Sequence, residues 1–356
     1  MALTGSRDPD LLILSNLTVT DLISFCQIRK NKYIETLCNN NNLWRNKYLS
    51  DFGNTEGMVG RDLTWRQMYF LRMFEKYTDQ KALKEAAKLG FVDIIQLYNK
   101  VYPEFGLMGA IKGQHMDLIK YFTGRYRPVP DPFKTGDPKT FLWARVMKAA
   151  AKTGNREIIN FFLDKGIRAW KMAMEGAAES NHPELVYFFT DMLDNESENE
   201  WMPNDWGLRA AAKGGNKELI KFFIDRGANR WNMGLQGAVA GNHRELIDYF
   251  ISLGADDYDS ALYEAAKKGN MELIEYFMGI VKRGRSPDPN KGLFGAARRG
   301  DISLMQYFIE AGADYWSRAI EEAEMGGHTY AINFLRNIEH DDDFDDSDFD
   351  DSDLDE

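Results

Sequence analysis

The sequence predicts an all-α solenoid in which about nine short helix pairs follow one another along most of the chain. Three observations predict this fold. An alanine recurs at a fixed distance before a polar position, apolar stripes of helical spacing flank that position, and a glycine or asparagine separates the two stripes. Such pairs bury their apolar faces against their neighbours, so the repeat predicts a stack of pairs.

The charge balance excludes one broad class of function. The 356 residues carry 44 Lys and Arg against 55 Asp and Glu, a formal net charge of −11. Residues 339–356 hold 12 of these acids and no Lys or Arg, which leaves 44 basic against 43 acidic residues elsewhere. A near-neutral body lacks the basic footprint of a nucleic-acid-binding protein, so we expect no nucleic-acid partner.

Cysteine content and apolar runs bear on the compartment. The two cysteines, Cys26 and Cys38, form no Cys-x-x-Cys pair, so we expect neither a disulfide scaffold nor a cysteine zinc site. No apolar run reaches the length of a signal peptide or a membrane span. The sequence therefore predicts a soluble, reduced, cytoplasmic protein with no metal, no cofactor and no membrane partner.

The repeat is phased on one acidic or polar position, called the anchor here. The anchors are Asp93, Asp117, Glu157, Glu184, Glu218, Glu245, Glu272, Ser303 and Tyr330, and the shortest recurring interval is 27 residues. Alanine stands seven residues before every anchor and an apolar residue stands ten before it. This spacing predicts one face of a short first helix. Pairs such as Phe222-Phe223 after the anchor predict the apolar stripe of a second helix.

The position three residues before the anchor predicts the turn between the two helices. It holds glycine in six units, asparagine in two and glutamine in one, as expected for a helix that ends in a left-handed residue. The next position holds His, Asn or Asp in eight units. We expect Asn and Asp to cap the second helix and an imidazole to bond the same turn. Four of the five histidines share this position, so we predict no catalytic residue and no enzyme activity.

The recurring pattern Ala-Ala-x-x-Gly-(His/Asn)-x-Glu-Leu-Ile, followed by Gly-Ala-Asn or Gly-Ala-Asp, resembles the ankyrin repeat over residues 79–338. The usual Thr-Pro-Leu-His start is replaced by an aromatic residue fourteen before the anchor, which we expect to staple neighbouring units. These aromatic residues are Trp143, Trp170, Trp231, Tyr258 and Trp316. In this departure the chain resembles divergent ankyrin proteins encoded by large DNA viruses of protists. That resemblance implies a protein-binding surface in the host cytoplasm, with the nucleus as the alternative.

Two sets of residues are candidates for partner binding. Extra segments near 124–140, 191–205 and 280–290 fall between one helix pair and the next, on the finger edge that ankyrin proteins use for partners. They contribute Tyr126, Arg127, Trp201 and Arg283, and the alternative is that they are tolerated surface loops. A row nine residues before the anchor varies in chemistry and is expected to line the same face. Its members are Lys148, Glu175, Arg209, Gln236, Tyr263 and Phe294.

Residues 8–52 do not fit the repeat and predict three short helices. Pro9 opens the first, Thr20 or Asp21 caps the second, and the third begins near Leu43. The order Pro, Leu, Ile-Leu-Ser-x-Leu, Asp-Leu and Leu-Trp-Arg resembles an F-box, a module that docks on the S-phase-kinase-associated adaptor of cullin ubiquitin ligases. The resemblance implies adaptor-facing or motif-core roles for Pro9, Leu11, Leu14, Leu17, Leu22, Leu43 and Trp44. The alternative is a polar end cap for the stack.

The remaining segments complete the predicted organisation. Residues 53–78 form a glycine-rich joint and a bridging helix, and the Asp-rich residues 339–356 are expected to be disordered. The favoured function is a substrate-recruiting adaptor of a cullin-type ubiquitin ligase that binds a target protein through the stack. The alternative is an ankyrin scaffold or competitive inhibitor with no ligase link. Either would act as a monomer.

Overall fold

The computed structural model describes residues 7–26, 32–53, 63–75, 78–98, 102–125, 138–196, 203–280 and 286–345. Every regular element in these residues is an α-helix, and they contain 23 helices, so the all-α prediction is confirmed. The chain divides into two compact parts, Met1–Ala169 and Trp170–Glu356, and each is described by itself.

The N-terminal part contains eleven helices in its described residues. They are α1 (Arg7–Ser15), α2 (Val19–Cys26), α3 (Lys32–Cys38), α4 (Asn41–Phe52), α5 (Trp65–Phe74), α6 (Asp79–Leu89), α7 (Val92–Tyr98), α8 (Pro103–Lys112), α9 (Met116–Thr123), α10 (Pro138–Lys152) and α11 (Arg156–Asp164).

The C-terminal part contains twelve helices in its described residues. They are α12 (Trp170–Glu179), α13 (Pro183–Glu196), α14 (Pro203–Gly214), α15 (Lys217–Asp225), α16 (Trp231–Gly241), α17 (Arg244–Ser252), α18 (Tyr258–Lys268), α19 (Met271–Met278), α20 (Pro289–Arg299), α21 (Ile302–Glu310), α22 (Trp316–Gly326) and α23 (Thr329–Asp345).

From α6 onward, consecutive helices pack as nine pairs, each with a first and a second helix, as the anchors predicted. Within each part, successive first helices also pack on one another. All nine alanines seven residues before the anchors are fully buried, and the apolar residues ten before are at most 9% exposed. The small alanine side chain lets the neighbouring helix approach closely, while the larger apolar residue fills the core.

The aromatic pair of the second helix divides between core and surface. The second member is fully buried, as Phe223 and Phe250 show, whereas its neighbour Tyr249 is 41% exposed. In three pairs the buried ring contacts the aromatic residue fourteen before the anchor, which lies on the first helix of the same pair. Trp143 lies 6.4 Å from Phe162 between ring centroids, and Tyr258 lies 6.2 Å from Phe277. These contacts join the two helices of one pair, whereas the sequence suggested staples between pairs.

The turn inside each helix pair is confirmed in all nine cases. The residue three before the anchor has a positive φ whether it is glycine, asparagine or glutamine, with 77° at Gly300, 61° at Asn242 and 57° at Gln114. Asn216 and Asp301 then accept hydrogen bonds from backbone N–H groups of the second helix, which confirms the capping prediction for these residue types.

The prediction that an imidazole bonds its own turn was wrong for two of the four histidines at this position. Neither His115 nor His243 caps its helix. Instead His115 Nε2–H donates to the carbonyl oxygen of Lys88 at 2.9 Å, and His243 Nε2–H donates to that of Lys213 at 3.1 Å. Both carbonyls lie in the last turn of the preceding first helix, where a helix leaves its carbonyls without an internal partner. The imidazole is long enough to reach them, so these histidines tie one helix pair to the previous one.

The N-terminal module has four helices, α1 to α4, where three were predicted. The additional helix α3 is held to α1 because Tyr33 Oη donates to the buried carboxylate of Asp10 at 2.7 Å. Helix α2 begins at Val19 with Thr18 as its capping side chain, so the predicted caps at Thr20 or Asp21 were wrong. Helix α4 begins at Asn41, two residues before the predicted start.

The two cysteines are joined by a disulfide, which corrects the expectation of reduced thiols. Cys26 ends α2 and Cys38 ends α3, so the packing of these helices brings the two helix ends together. A separation of 12 residues matches no cysteine motif, and the sequence therefore gave no sign of the pairing.

The predicted bridging helix is confirmed as α5. Thr64 and Gln67 form a reciprocal capping box at its start. Trp44 of α4 lies 5.3 Å from Phe70 of α5 between ring centroids, and Phe70 lies 4.5 Å from Phe91 of the first helix pair. A continuous aromatic contact therefore connects the N-terminal module with the repeats.

The final helix departs from the predicted tail. Helix α23 runs to Asp345, so the first seven residues of the segment expected to be disordered are helical. Half-buried Ile338 and Glu339 continue the packed face of α23, which carries the helix beyond the predicted boundary. Residues 346–356 lie outside the described residues.

Candidate interaction surface on the first helices

In the C-terminal part, the first helices present a row of cations to solvent. Residues spaced by three or four positions share one side of a helix. The surface that these cations form is called the first-helix face here, and it is defined by six side chains. They are Lys171, Arg209, Lys213, Lys267, Arg298 and Arg318. Every one of them belongs to α12, α14, α18, α20 or α22.

The first cluster on this face surrounds Glu264. Its carboxylate is buried, yet Arg209 of α14 approaches it to 3.4 Å and Lys267 approaches it to 3.4 Å. The side chains of Arg209 and Lys267 remain 32% and 38% exposed. The carboxylate is therefore compensated by two cations whose charged ends still reach water, an arrangement that avoids leaving a buried charge unpaired.

The second cluster surrounds Glu322 and repeats the same design. Arg298 lies 3.5 Å from its carboxylate and Arg318 lies 3.1 Å from it, while Tyr263 Oη donates a hydrogen bond at 3.2 Å. Burial, and then the nearby Glu322 charge, raise the pKa of Tyr263 to about 12. The phenol therefore stays protonated at neutral pH and remains a hydrogen-bond donor.

Both clusters reach across an intervening first helix. Arg209 of α14 contacts Glu264 of α18, although α16 packs against both helices. Glycine makes room for this approach, because a Cβ on Gly237 would lie 2.2 Å from the carbonyl oxygen of Arg209. Gly295 of α20 likewise makes room between Tyr263 and Glu322, because a Cβ added to Gly295 would lie 2.3 Å from the carbonyl oxygen of Tyr263.

Two further contacts extend the cationic row toward α12. Lys213 pairs with the Glu179 carboxylate at 3.1 Å, and this carboxylate is also largely buried. Lys171 lies 4.3 Å from the ring of Trp206, which is 38% exposed. The face therefore offers a partner cationic groups and aromatic surface, with most of its carboxylates recessed beneath them.

The predicted row of partner-binding residues is only partly on the surface. Glu175 and Phe294 are buried, whereas Lys148, Arg209, Gln236 and Tyr263 are partly exposed. Gln236 Nε2–H donates to Asp257 at 3.4 Å, so this residue is tied to the start of the next pair. The structure brings Arg209 and Tyr263 into the two clusters, and it places Lys148 in the N-terminal part. The predicted loop residues Tyr126, Arg127, Trp201 and Arg283 lie outside the described residues.

A row of Asp and Asn side chains near the starts of the first helices was not predicted from the sequence. Asn232 Oδ1 accepts from the backbone N–H groups of Asp256 and Asp257 at 2.7 and 3.1 Å. Asn290 accepts in the same way from the next turn, at 3.0 and 2.9 Å. The signal was present, because an Asp or Asn recurs thirteen residues before the anchor. The residues concerned are Asp205, Asn232, Asp259 and Asn290.

The F-box-like positions mostly form the core of the N-terminal module. Leu11, Leu14, Leu22, Leu43 and Trp44 are all buried, and Leu17 is partly exposed. Trp44 also donates its indole N–H to the carbonyl oxygen of Cys38 at 2.7 Å. The side chain of Pro9 lies outside the described part. Leu12, which was not among the predicted positions, is 62% exposed on α1.

Among the described residues, no group of three or more His, Cys, Asp or Glu side chains is arranged to hold a metal ion. None of the described helices is both long and apolar enough to cross a bilayer. No protein-family model matches the chain, and no curated protein sequence matches it.

Proposed function

We propose that this chain is a non-catalytic protein-binding scaffold of ankyrin-like helix pairs, and that its first-helix face binds a target protein. The observation that carries the proposal is the design of the Glu264 and Glu322 clusters. Cations and a tyrosine hydroxyl are held in place by buried carboxylates while their ends reach solvent. Side chains already fixed in this way lose less conformational entropy when a partner binds.

The chemistry of the face also supports protein binding. Arginine and aromatic residues are enriched where proteins meet, and such residues often provide most of the binding energy. Arg209, Arg298 and Arg318 contribute guanidinium groups from α14, α20 and α22, and Trp206 and Tyr263 contribute rings from α14 and α18. Two of the histidines are engaged with backbone carbonyls, which favours a structural role for the turn position.

The experiment is a crosslinking capture with matched charge variants. Lys267→Gln and Arg318→Gln together remove two cations from the face, and each buried carboxylate keeps another cationic partner, Arg209 or Arg298. The control, Lys217→Gln with Lys221→Gln, removes two cations from the exposed side of α15. We expect a target that is captured by the wild-type chain and the control and is lost with the face variant. A target retained by the face variant and lost with the control would refute the proposal.

A second candidate function follows from the N-terminal module. We propose that this module links the scaffold to the S-phase-kinase-associated adaptor of a cullin ubiquitin ligase, which would make the chain a substrate-recruiting subunit. The supporting observation is that the F-box-like leucines form the module core while Leu12 is left 62% exposed on α1.

The ligase link is tested at Leu12, because substitution of fully buried Leu14 would disturb the module core. We expect Leu12→Asp to abolish co-purification of the adaptor and cullin, while Leu49→Asp, at a 37% exposed position of α4, preserves it. Adaptor recovery that is equal for wild type and Leu12→Asp would remove the ligase link and leave the scaffold proposal intact.

A further inference from the structure

The acidic residues that follow α23 have a charge opposite to that of the first-helix face. Residues 346–356 contain seven Asp and Glu and no Lys or Arg. The face carries six Lys or Arg side chains, and three of the carboxylates that compensate them, Glu179, Glu264 and Glu322, are no more than 10% exposed. Opposite charges at the surface attract over about 10 Å at moderate ionic strength.

The end of α23 brings this segment to the correct edge of the face. Helices α22 and α23 are joined by a tight turn at Gly327 and pack against each other, so α23 runs back along α22 toward the start of α22. Helix α22 has 11 residues and α23 has 17, which carries α23 roughly 9 Å past the start of α22 at 1.5 Å per residue. Arg318 is the third residue of α22 and therefore lies close to this edge.

The segment is also long enough to cover the face. Eleven extended residues span at most about 40 Å. Packed helices are about 8–10 Å apart, so the segment could pass α22, α20 and α18 in turn. It would meet Arg318, Arg298 and Lys267 in that order, which are the cations of the Glu322 and Glu264 clusters.

We propose that residues 346–356 dock on the first-helix face of their own chain and compete there with the target protein. This inference rests on the proposed function, because it uses the same surface. A tethered segment of this length acts at an effective concentration in the millimolar range. A target must therefore bind the face tightly enough to displace the segment. The competition favours targets that present acidic surfaces of their own.

The test uses the full chain and a fluorescent peptide with the sequence of residues 346–356. In one variant, the six aspartates of this segment become asparagine and Glu356 becomes glutamine, which removes the tethered competitor. We expect this neutralised chain to bind the peptide at least about 10-fold more tightly than the wild-type chain. We also expect the affinity to fall as salt is raised.

Matched variants then locate the site. In the neutralised background, Lys267→Gln with Arg318→Gln should weaken peptide binding by about 10-fold, and Lys217→Gln with Lys221→Gln should leave it unchanged. Circular dichroism of each variant confirms that it folds. Equal peptide affinity for wild type and neutralised chain would overturn the inference, and so would an equal loss in the control. A wild-type mass that doubles with concentration would assign the segment to a second copy and overturn the intramolecular contact.

The proposed target binding and the proposed docking of residues 346–356 can be refuted independently of each other. If the peptide does not bind while the face variant still loses the target, only the tail inference is wrong. If the target is insensitive to the face variant, the proposed binding surface itself is wrong, whatever the peptide does.

Discussion

The guanidinium of Arg209 lies 3.4 Å from the carboxylate of Glu264, which is 55 residues later in the chain and two helix pairs away. The contact is possible because the intervening helix carries Gly237, whose missing side chain lets α16 lie against the backbone of α14. A charge contact on the surface and a glycine contact in the interior are thus parts of one arrangement. Several consequences of this packing can be measured.

A side chain at Gly237 should separate α14 from α16. The alanine Cβ would lie 2.2 Å from a backbone oxygen, which cannot move without shifting the helix. We expect Gly237→Ala to lower the free energy of unfolding by about 1–3 kcal/mol, although alanine is the better helix former. Urea denaturation provides the measurement. Gly124→Ala is the control, because its Cβ would lie at an ordinary 3.4 Å, and a loss there as large as at Gly237 would contradict the account.

The aromatic pair of α15 should respond unequally to truncation. Phe223 is fully buried and Phe222 is only partly so. We expect Phe223→Ala to cost about 3–5 kcal/mol of unfolding free energy and Phe222→Ala to cost clearly less. Paired denaturation curves of the two variants test this. Equal losses would mean that the burial assigned to the two rings is wrong.

The stability of the C-terminal part should depend on Tyr263 at alkaline pH. The folded-state pKa of Tyr263 is raised to about 12 from an ordinary value of 10.0. An unfolded tyrosine loses its proton near pH 10, so the stability that Tyr263 contributes is complete below pH 10. It is lost as the pH rises from 10 to 12. The measurement is the difference in unfolding free energy between wild type and Tyr263→Phe, and a difference that stays constant from pH 9 to 12 would refute the assignment.

Reduction of the disulfide should weaken the N-terminal module. The bond closes a loop between positions separated by 12 residues. Closing a loop of that size restricts the unfolded chain and raises the free energy of unfolding by about 2–3 kcal/mol. We expect dithiothreitol to lower the unfolding midpoint of the module in the wild-type chain. The double variant Cys26→Ser, Cys38→Ser should start at the lower midpoint and show no response. A response in that variant would place the effect elsewhere.

Much of the fold could be predicted because the residues that the packing requires recur at the same position in every helix pair. Alanine is required where two first helices approach each other, and a left-handed residue is required where each first helix ends. Both requirements recur at a fixed spacing, so positions such as Ala238 and Gly300 predict the helix pairs from the sequence alone. The nine buried alanines and the nine positive φ angles follow from that periodicity.

The remaining features depend on contacts between residues far apart in the chain. The His243 contact with Lys213 and the Arg209 contact with Glu264 cross from one helix pair to another, so the spacing within a pair could not predict them. The Cys26–Cys38 bond depends on the packing of α2 against α3, and the spacing of the two cysteines in the sequence does not indicate that contact. Of the residues in the two clusters, the sequence therefore predicted Arg209 and Tyr263, and it predicted neither the buried carboxylates nor the other cations.

The central claim is that the first-helix face binds the target, and lysine footprinting of the captured complex tests it without any substitution. Lys267 and Lys171 lie on the face, whereas Lys217 and Lys221 lie on the exposed side of α15. Acetylation of Lys267 and Lys171 should slow when the target is bound, and acetylation of Lys217 and Lys221 should be unchanged. Slower acetylation confined to Lys217 and Lys221 would contradict the account.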